Sequence, residues 1–197
     1  MVIKVDLSKA YERVNWLYLR LMMLQVGFHL GLVNWFMTCI QIVSFVVLVN
    51  GLAYSFFRPG RGIIQGYPLD PLLILILIEG LSIIIHNARS TGSYNGIKVG
   101  VLYMYRTYYW WMIMLLFCNG SRREFAELKV LNFFSFVTWM VYNVHKSLVS
   151  YMNIEEENRV WLNNIFTFPS IDMLVGLKYL GFILKLNDYT HRDWDGE

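Results

Sequence analysis

Between Arg20 and Arg58 the sequence has no formally charged side chain, and over all 197 residues only 16% are Asp, Glu, Lys or Arg. So little charge beside 56% hydrophobic residues excludes a disordered chain and raises the question of a membrane. Cysteine occurs twice, at Cys39 and Cys118, which gives neither a metal-ligand spacing nor a disulfide framework, so a reduced, intracellular setting is expected. A net charge of +3 is too small to announce nucleic-acid binding, so any such reading must rest on particular residues. His29, His86, His145 and His191 lie far apart and form no ligand pair, and no Ser-His-Asp order is recognisable. No secretory leader is expected either, because Lys4 and Asp6 interrupt the first hydrophobic stretch. There is no internal repeat, low-complexity tract or linker, so one domain of mixed α+β class is expected.

What is present is strong local patterning. Val2 to Asp6 is β-prone, and Ala10, Val14, Leu17, Leu21 and Leu24 then recur at helical spacing until Gly27 supplies a stop. A second helix is expected over Leu30 to Ile42. Leu32 to Asn50 holds 14 apolar residues in 19, close to a spanning length, yet Asn34, Gln41 and Ser44 punctuate it. Asn50-Gly51 between two β-rich runs is the signature of a type I′ hairpin, which favours a folded segment over a membrane span. A loop rich in Gly and Pro covers residues 59–71, and a buried helix is expected from about Leu72 to Arg89. Short strands are expected to flank Asn119-Gly120. Ser121-Arg-Arg-Glu124 reads as a capping box opening a helix through Phe134, and Met140 to Ser150 as a strand. Glu155-Glu156-Glu157 suits a helix N-terminus, and Leu177 to Leu184 is a β-prone run.

Chemistry enters with Asp6, an acid at the end of a buried strand, and with Tyr11 five residues on. Alone that pair reads as an ordinary strand end and a core tyrosine. Arg61-Gly62-Ile-Ile-Gln65-Gly66-Tyr67-Pro68-Leu69-Asp70-Pro71 adds a rigid loop where backbone can approach a ligand closely. Val5-Asp6-Leu-Ser-Lys-Ala-Tyr11-Glu12-Arg-Val14-Asn15-Trp16 resembles motif A of the reverse transcriptases of plant LINE-type (non-LTR) retrotransposons. Residues 61–73 resemble their motif B, 143–147 their motif D, and 177–182 their motif E, in the family's order. The resemblance implies a reverse-transcriptase palm-like fragment of residues 1–197, an antiparallel sheet packed on helices, with the fingers and a full thumb missing. By the same resemblance Asp6 would ligate catalytic Mg²⁺ and Tyr11 would gate against a ribose 2′-hydroxyl. Arg61 belongs to the motif B-like loop, in which Gln65 and Gly66 would contact nucleotide and template. Lys146 would stand near the phosphates as a general acid, and Tyr179, Leu180 and Gly181 would hold the primer end. The implied partners are an RNA template and a DNA primer, with no small-molecule cofactor, at a nuclear location. Glu12 stands where the family has Asp, Tyr67 where it has a smaller residue, and Asp70 where it has Ser, adding negative charge beside the template path.

Nucleotide transfer of this kind needs converging carboxylates for two Mg²⁺ ions roughly 3.5–4 Å apart. Residues 110–118 resemble a degraded motif C, whose tail is kept as Leu115-Leu-Phe-Cys118-Asn-Gly-Ser121, but Met112 and Ile113 stand where the family's Asp pair belongs. Thioether and alkyl groups do not bind hard Mg²⁺. The genetic code points to a cause. Tyr109-Trp110-Trp111-Met112-Ile113 must be encoded TAY-TGG-TGG-ATG-ATH, and another frame of the same bases reads Leu-Val-Asp-Asp. The stretch from about Val101 to Met114 therefore reads as translated out of frame, which predicts an inactive enzyme. Two alternatives stand beside this: a non-catalytic nucleic-acid-binding remnant using Arg58, Arg61, Lys146 and Lys178, and a small membrane-associated hydrophobic protein. Exposed apolar surface, with aggregation and marginal folding, is expected in any of these cases.

Overall fold

The computed structural model describes residues 1–99, 103–105, 107–110, 113–152, 154, 156–179 and 182–185, of which 97–99, 103–105, 107–110, 125 and 156 are described by backbone alone. The chain divides into two compact units, the first built from residues 1–8, 85–130 and 142–197, the second from residues 9–84 and 131–141. Both α and β elements are present, and the main sheet is mixed.

The first unit is organised around β1 (Val2–Ser8). Its antiparallel neighbours are β7 (Ile113–Phe117) on one side and β9 (Leu148–Tyr151) on the other. β6 (Thr107–Trp110) extends the sheet beyond β7, and β10 (Ser170–Asp172) extends it beyond β9. β4 (Ile97–Val99) and β5 (Tyr103–Tyr105) form a separate antiparallel pair. The β9–β10 pair is parallel, which corrects the expectation of an antiparallel sheet. Parallel neighbours need a crossover, and α7 (Glu156–Ile165) supplies it. The β-prone run at 177–184 is a hairpin, β11 (Leu177–Tyr179) with β12 (Phe182–Leu184). It closes a small core of Val2, Leu115 and Leu177, with Phe117, Leu148, Met173, Tyr179 and Leu184 packed around it.

The expected strand from Met140 to Ser150 is interrupted. β8 (Val141–Tyr142) ends at a turn in which the Asn143 carbonyl accepts the N–H groups of Lys146 and Ser147, and β9 follows. Only one strand, β7, adjoins Asn119-Gly120, because α5 (Arg122–Glu127) begins directly after them. A second helix, α6 (Lys129–Thr138), completes the segment after a break at Leu128.

The second unit is helical. The single helix expected from Ala10 to Gly27 is two, α1 (Ala10–Arg13) and α2 (Trp16–Gln25). Asn15 separates them: its side-chain oxygen accepts the N–H groups of Leu17 and Tyr18, which makes it an N-cap, while its amide donates to the Val137 carbonyl at 3.0 Å. The break re-phases the helix, so Leu19, Met22 and Met23 are buried and Leu17, Leu21 and Leu24 are exposed. α3 (Leu30–Gln41) follows, and then the hairpin β2 (Leu48–Val49) and β3 (Leu52–Ala53). Asn50 and Gly51 have φ of 51° and 83°, both positive as a type I′ turn requires. α4 (Asp70–Ser90) starts with a proline at its second residue and buries Leu73, Leu77 and Leu81 on one stripe. Among the described residues it is the one helix long and apolar enough to cross a membrane by length and composition.

Candidate functional site

Alternation along β1 decides which side chains can act. Ile3, Val5 and Leu7 share one buried face, and Lys4, Asp6 and Ser8, each partly exposed, share the other. On that second face the β11–β12 hairpin covers the Val2 end, where the Lys4 ammonium donates to the Lys178 carbonyl at 2.9 Å. Asp6 lies two residues further on. Its cross-strand partner in β7 is Ile113, one of the two positions where the family's acid pair would stand. Met112 and Trp111 lie outside the described residues.

The turn at 143–146 fastens the other flank of Asp6. The Asp6 N–H donates to Ser147 Oγ at 3.0 Å, and the Asn143 N–H donates to the Asp6 carbonyl at 2.8 Å. Lys146, exposed in this turn, thereby comes to act on the Asp6 carboxylate, as does Lys4. Partial burial pushes the Asp6 carboxyl above its usual range, with the Lys146 and Lys4 charges pulling the other way. Burial likewise lowers Lys4, helped by the like charge of Lys146 and opposed by Asp6. The turn thus puts Lys146 within electrostatic reach of Asp6, and adds Lys4 and Ser147 around the same acid, to which sequence reasoning gave no role. Alternation in β1 was the signal for Lys4. Nothing local announced Ser147.

Tyr179 sits in β11, packed on the small core, its hydroxyl pushed up by burial. Leu180 and Gly181 lie outside the described residues. Tyr11, Arg61, Gln65 and Gly66 belong to the second unit. There Tyr11 is buried, and its carbonyl accepts the Ile63 N–H at 2.7 Å. The Gly62 N–H donates to the Val14 carbonyl at 2.8 Å, and the Trp16 indole N–H to the Gly62 carbonyl at 2.7 Å. These bonds lace residues 11–16 to residues 62–63. Arg61, Gln65 and Gly66 are all exposed. Asp70 is only 3% exposed and its carboxylate accepts the Tyr67 N–H at 2.7 Å, so its charge is spent on the start of α4 and is not presented to a passing strand.

The Mg²⁺ ions implied by the resemblance need several hard oxygen ligands, and this donor set does not fit them. Asp6 is one carboxylate under the influence of two lysine charges, with an alkyl side chain at the paired position, and among the described residues no group of three or more His, Cys, Asp or Glu could hold a metal. A cleft of about 240 Å³ lies elsewhere in the first unit, between β9 and α7, lined by Tyr151, Asn158 and Arg159 among others, and none of the predicted site residues line it. Cys118 is fully buried, its thiol pushed up to about 12 by burial, which makes it an inert core residue.

No protein-family model matches the chain. No curated protein matches it either. A solved structure described as apo telomerase from Candida tropicalis, truncated from its C-terminal domain, is a distant structural neighbour: TM-score 0.49 and 15% sequence identity, over 66% of this chain and 26% of that one. The chain spans about a quarter of that protein's length.

Proposed function

We propose that this chain is a reverse-transcriptase palm-like domain of LINE type that has lost nucleotide transfer and retains the capacity to hold nucleic acid. The observation that carries the reading is the β1–β7 register, with Asp6 opposite Ile113. A motif A acid and a motif C acid must converge from adjacent strands, and this pairing aligns the first with the position of the second. Two further placements support it. Lys146, the motif D-like cation, acts on Asp6, and the motif E-like hairpin packs at the other end of the same face of β1.

In such a palm the acids of motifs A and C would together hold Mg²⁺ for nucleotide transfer, and here Asp6 alone remains of them. This chain's own residues would do less. Arg61, Gln65 and Gly66 would meet template and nucleotide, Tyr11 would wall the sugar pocket from behind a buried ring, and Tyr179, Leu180 and Gly181 would brace a primer end. An RNA template with a DNA primer is the partner class. With the motif C acids absent, the barrier rises by about 1.4 kcal/mol for each tenfold of rate lost.

The test is a primer-extension assay on an oligo(dT)-primed poly(rA) template with Mg²⁺, run beside a binding titration over a salt series. No extension above background is expected, together with an affinity whose logarithm falls linearly with the logarithm of salt concentration. Mg²⁺-dependent extension would overturn the loss of activity, and the absence of salt-sensitive binding would overturn the retained affinity. Sequencing the transcript over the codons for Val101 to Leu116 checks the frame: Asp-Asp in frame would make the chain as written a mistranslation of an intact palm.

A further inference from the structure

We infer that the Asp6 corner is a charge-inverted, metal-independent anion site, in which Lys4 and Lys146 receive a phosphodiester group and Asp6 opposes it. The inference rests on the nucleic-acid reading above and says how the same site would now bind. A two-metal polymerase centre gathers acids and is negative until its ions arrive. Here the balance has the opposite sign: two ammonium groups and one carboxylate.

Geometry sets this up. Lys4 and Asp6 lie on the same partly exposed face of β1, two residues apart, and the turn that carries Lys146 is bonded to the backbone of Asp6 through both Asn143 and Ser147. The backbone positions of the three residues are therefore fixed by a strand and a two-bond clamp. Ile113 across the sheet contributes neither charge nor a ligand atom. Lys4 is tethered through one of its three ammonium protons to the Lys178 carbonyl, which leaves two donors. An anion with several oxygens, such as a phosphodiester, can accept from ammonium groups carried by two different elements, β1 and the 143–146 turn.

The site predicts an unusual sign for one substitution. In a metal-dependent centre, replacing the remaining acid weakens binding. In a charge-inverted one, Asp6→Asn removes the single repulsive group and tightens it. A unit charge about 6 Å from a phosphate in a water-like medium corresponds to roughly a threefold change in affinity. The experiment is a fluorescence-anisotropy titration of the full chain with a labelled oligothymidylate of about 16 nucleotides. It is run in EDTA and again in Mg²⁺, for the unaltered chain, Asp6→Asn and Lys146→Gln. Lys146 is exposed, so its replacement leaves the fold intact, and melting curves check both variants.

Expected are binding in EDTA at least as tight as in Mg²⁺, an approximately threefold gain for Asp6→Asn, and a loss for Lys146→Gln with a salt slope reduced by about 0.7. Binding that requires Mg²⁺ and that Asp6→Asn abolishes would overturn the inference, as would binding indifferent to both substitutions. In either case the oligonucleotide still binds and the nucleic-acid reading stands. Failure of the unaltered chain to bind at all would overturn that reading, and the inference with it.

Discussion

At Gly62 the backbone has φ of +85°, and a Cβ there would lie 2.7 Å from the Glu12 carbonyl oxygen, so both conformation and space demand glycine. Gly62→Ala should therefore cost about 2–4 kcal/mol in a denaturant titration, the sum of a left-handed backbone penalty and a clash with rigid main chain. Asp6 offers a second residue-level measurement. Its carboxyl is raised above the ordinary value of 3.8, so at pH above 3.8 and up to the raised value the folded chain holds more protons than the unfolded one. Stability attributable to Asp6 thus falls as pH rises through that window. Asp6→Asn should remove that fall, so that the variant's melting temperature gains on that of the unaltered chain as pH rises through the window and exceeds it at pH 7. Equal pH profiles for the two would show that the burial of Asp6 is not felt. Asp6 was legible as a candidate from sequence, since an acid ending a β-prone run is a local pattern. Its two lysine neighbours were half legible: Lys4 follows from alternation, whereas Lys146 is 140 positions away and comes near only because a turn folds back onto β1.

Helix ends show the same division at the level of elements. Ser121 and Glu124 have the spacing of a capping box, and the structure honours half of it: the Glu124 N–H donates to Ser121 Oγ at 3.3 Å. The carboxylate does not return to Ser121. It is buried at 1% exposure and accepts the N–H groups of Asn95 and Gly96 on one oxygen and of Asn119 on the other, so it cements the 95–96 turn to the end of β7. Removing it orphans three backbone donors. Glu124→Ala should cost about 3 kcal/mol, more than the roughly 1–2 kcal/mol expected for Asn15→Ala, which loses a cap and one bond to Val137. Parallel urea titrations of the two variants give the comparison, and the reverse order would show that the Glu124 cradle is solvated. The split of the first helix was readable in principle from Asn15 before Trp16, an N-cap residue type, but the uninterrupted apolar period masked it. Parallel pairing of β9 with β10 was not readable, because nothing within either short strand encodes its neighbour's direction.

Over the whole molecule the salient property is uncovered apolar surface. The type I′ hairpin exposes residues from both faces of its strands, including Leu48 at 66%, Leu52 at 77%, Tyr54 at 70% and Phe56 at 77%. Burial against water is the main stabilising force, and these side chains contribute almost none of it while offering an uncharged, β-prone edge to other chains. Replacing Leu48, Leu52 and Phe56 by lysine should therefore sharply reduce aggregation in light scattering, with a stability change within about 0.5 kcal/mol, the usual range for exposed positions. Unchanged aggregation would locate the liability elsewhere, for instance in Trp35 or Phe136, also exposed.

The sequence by itself determined the kind and order of most elements, the Asn50-Gly51 turn and, through the genetic code, the expectation of a displaced reading frame at Tyr109 to Ile113. These rest on short-range causes: turn residues, caps, periodicity and the code. Only the tertiary structure decided that Ile113 pairs with Asp6, that Asp70 and Glu124 spend their charges on backbone, and that the turn carrying Lys146 is fastened to the backbone of Asp6. Those facts depend on strand pairing and burial between residues far apart in the chain, where the partner, not the local pattern, sets the energy of a charge.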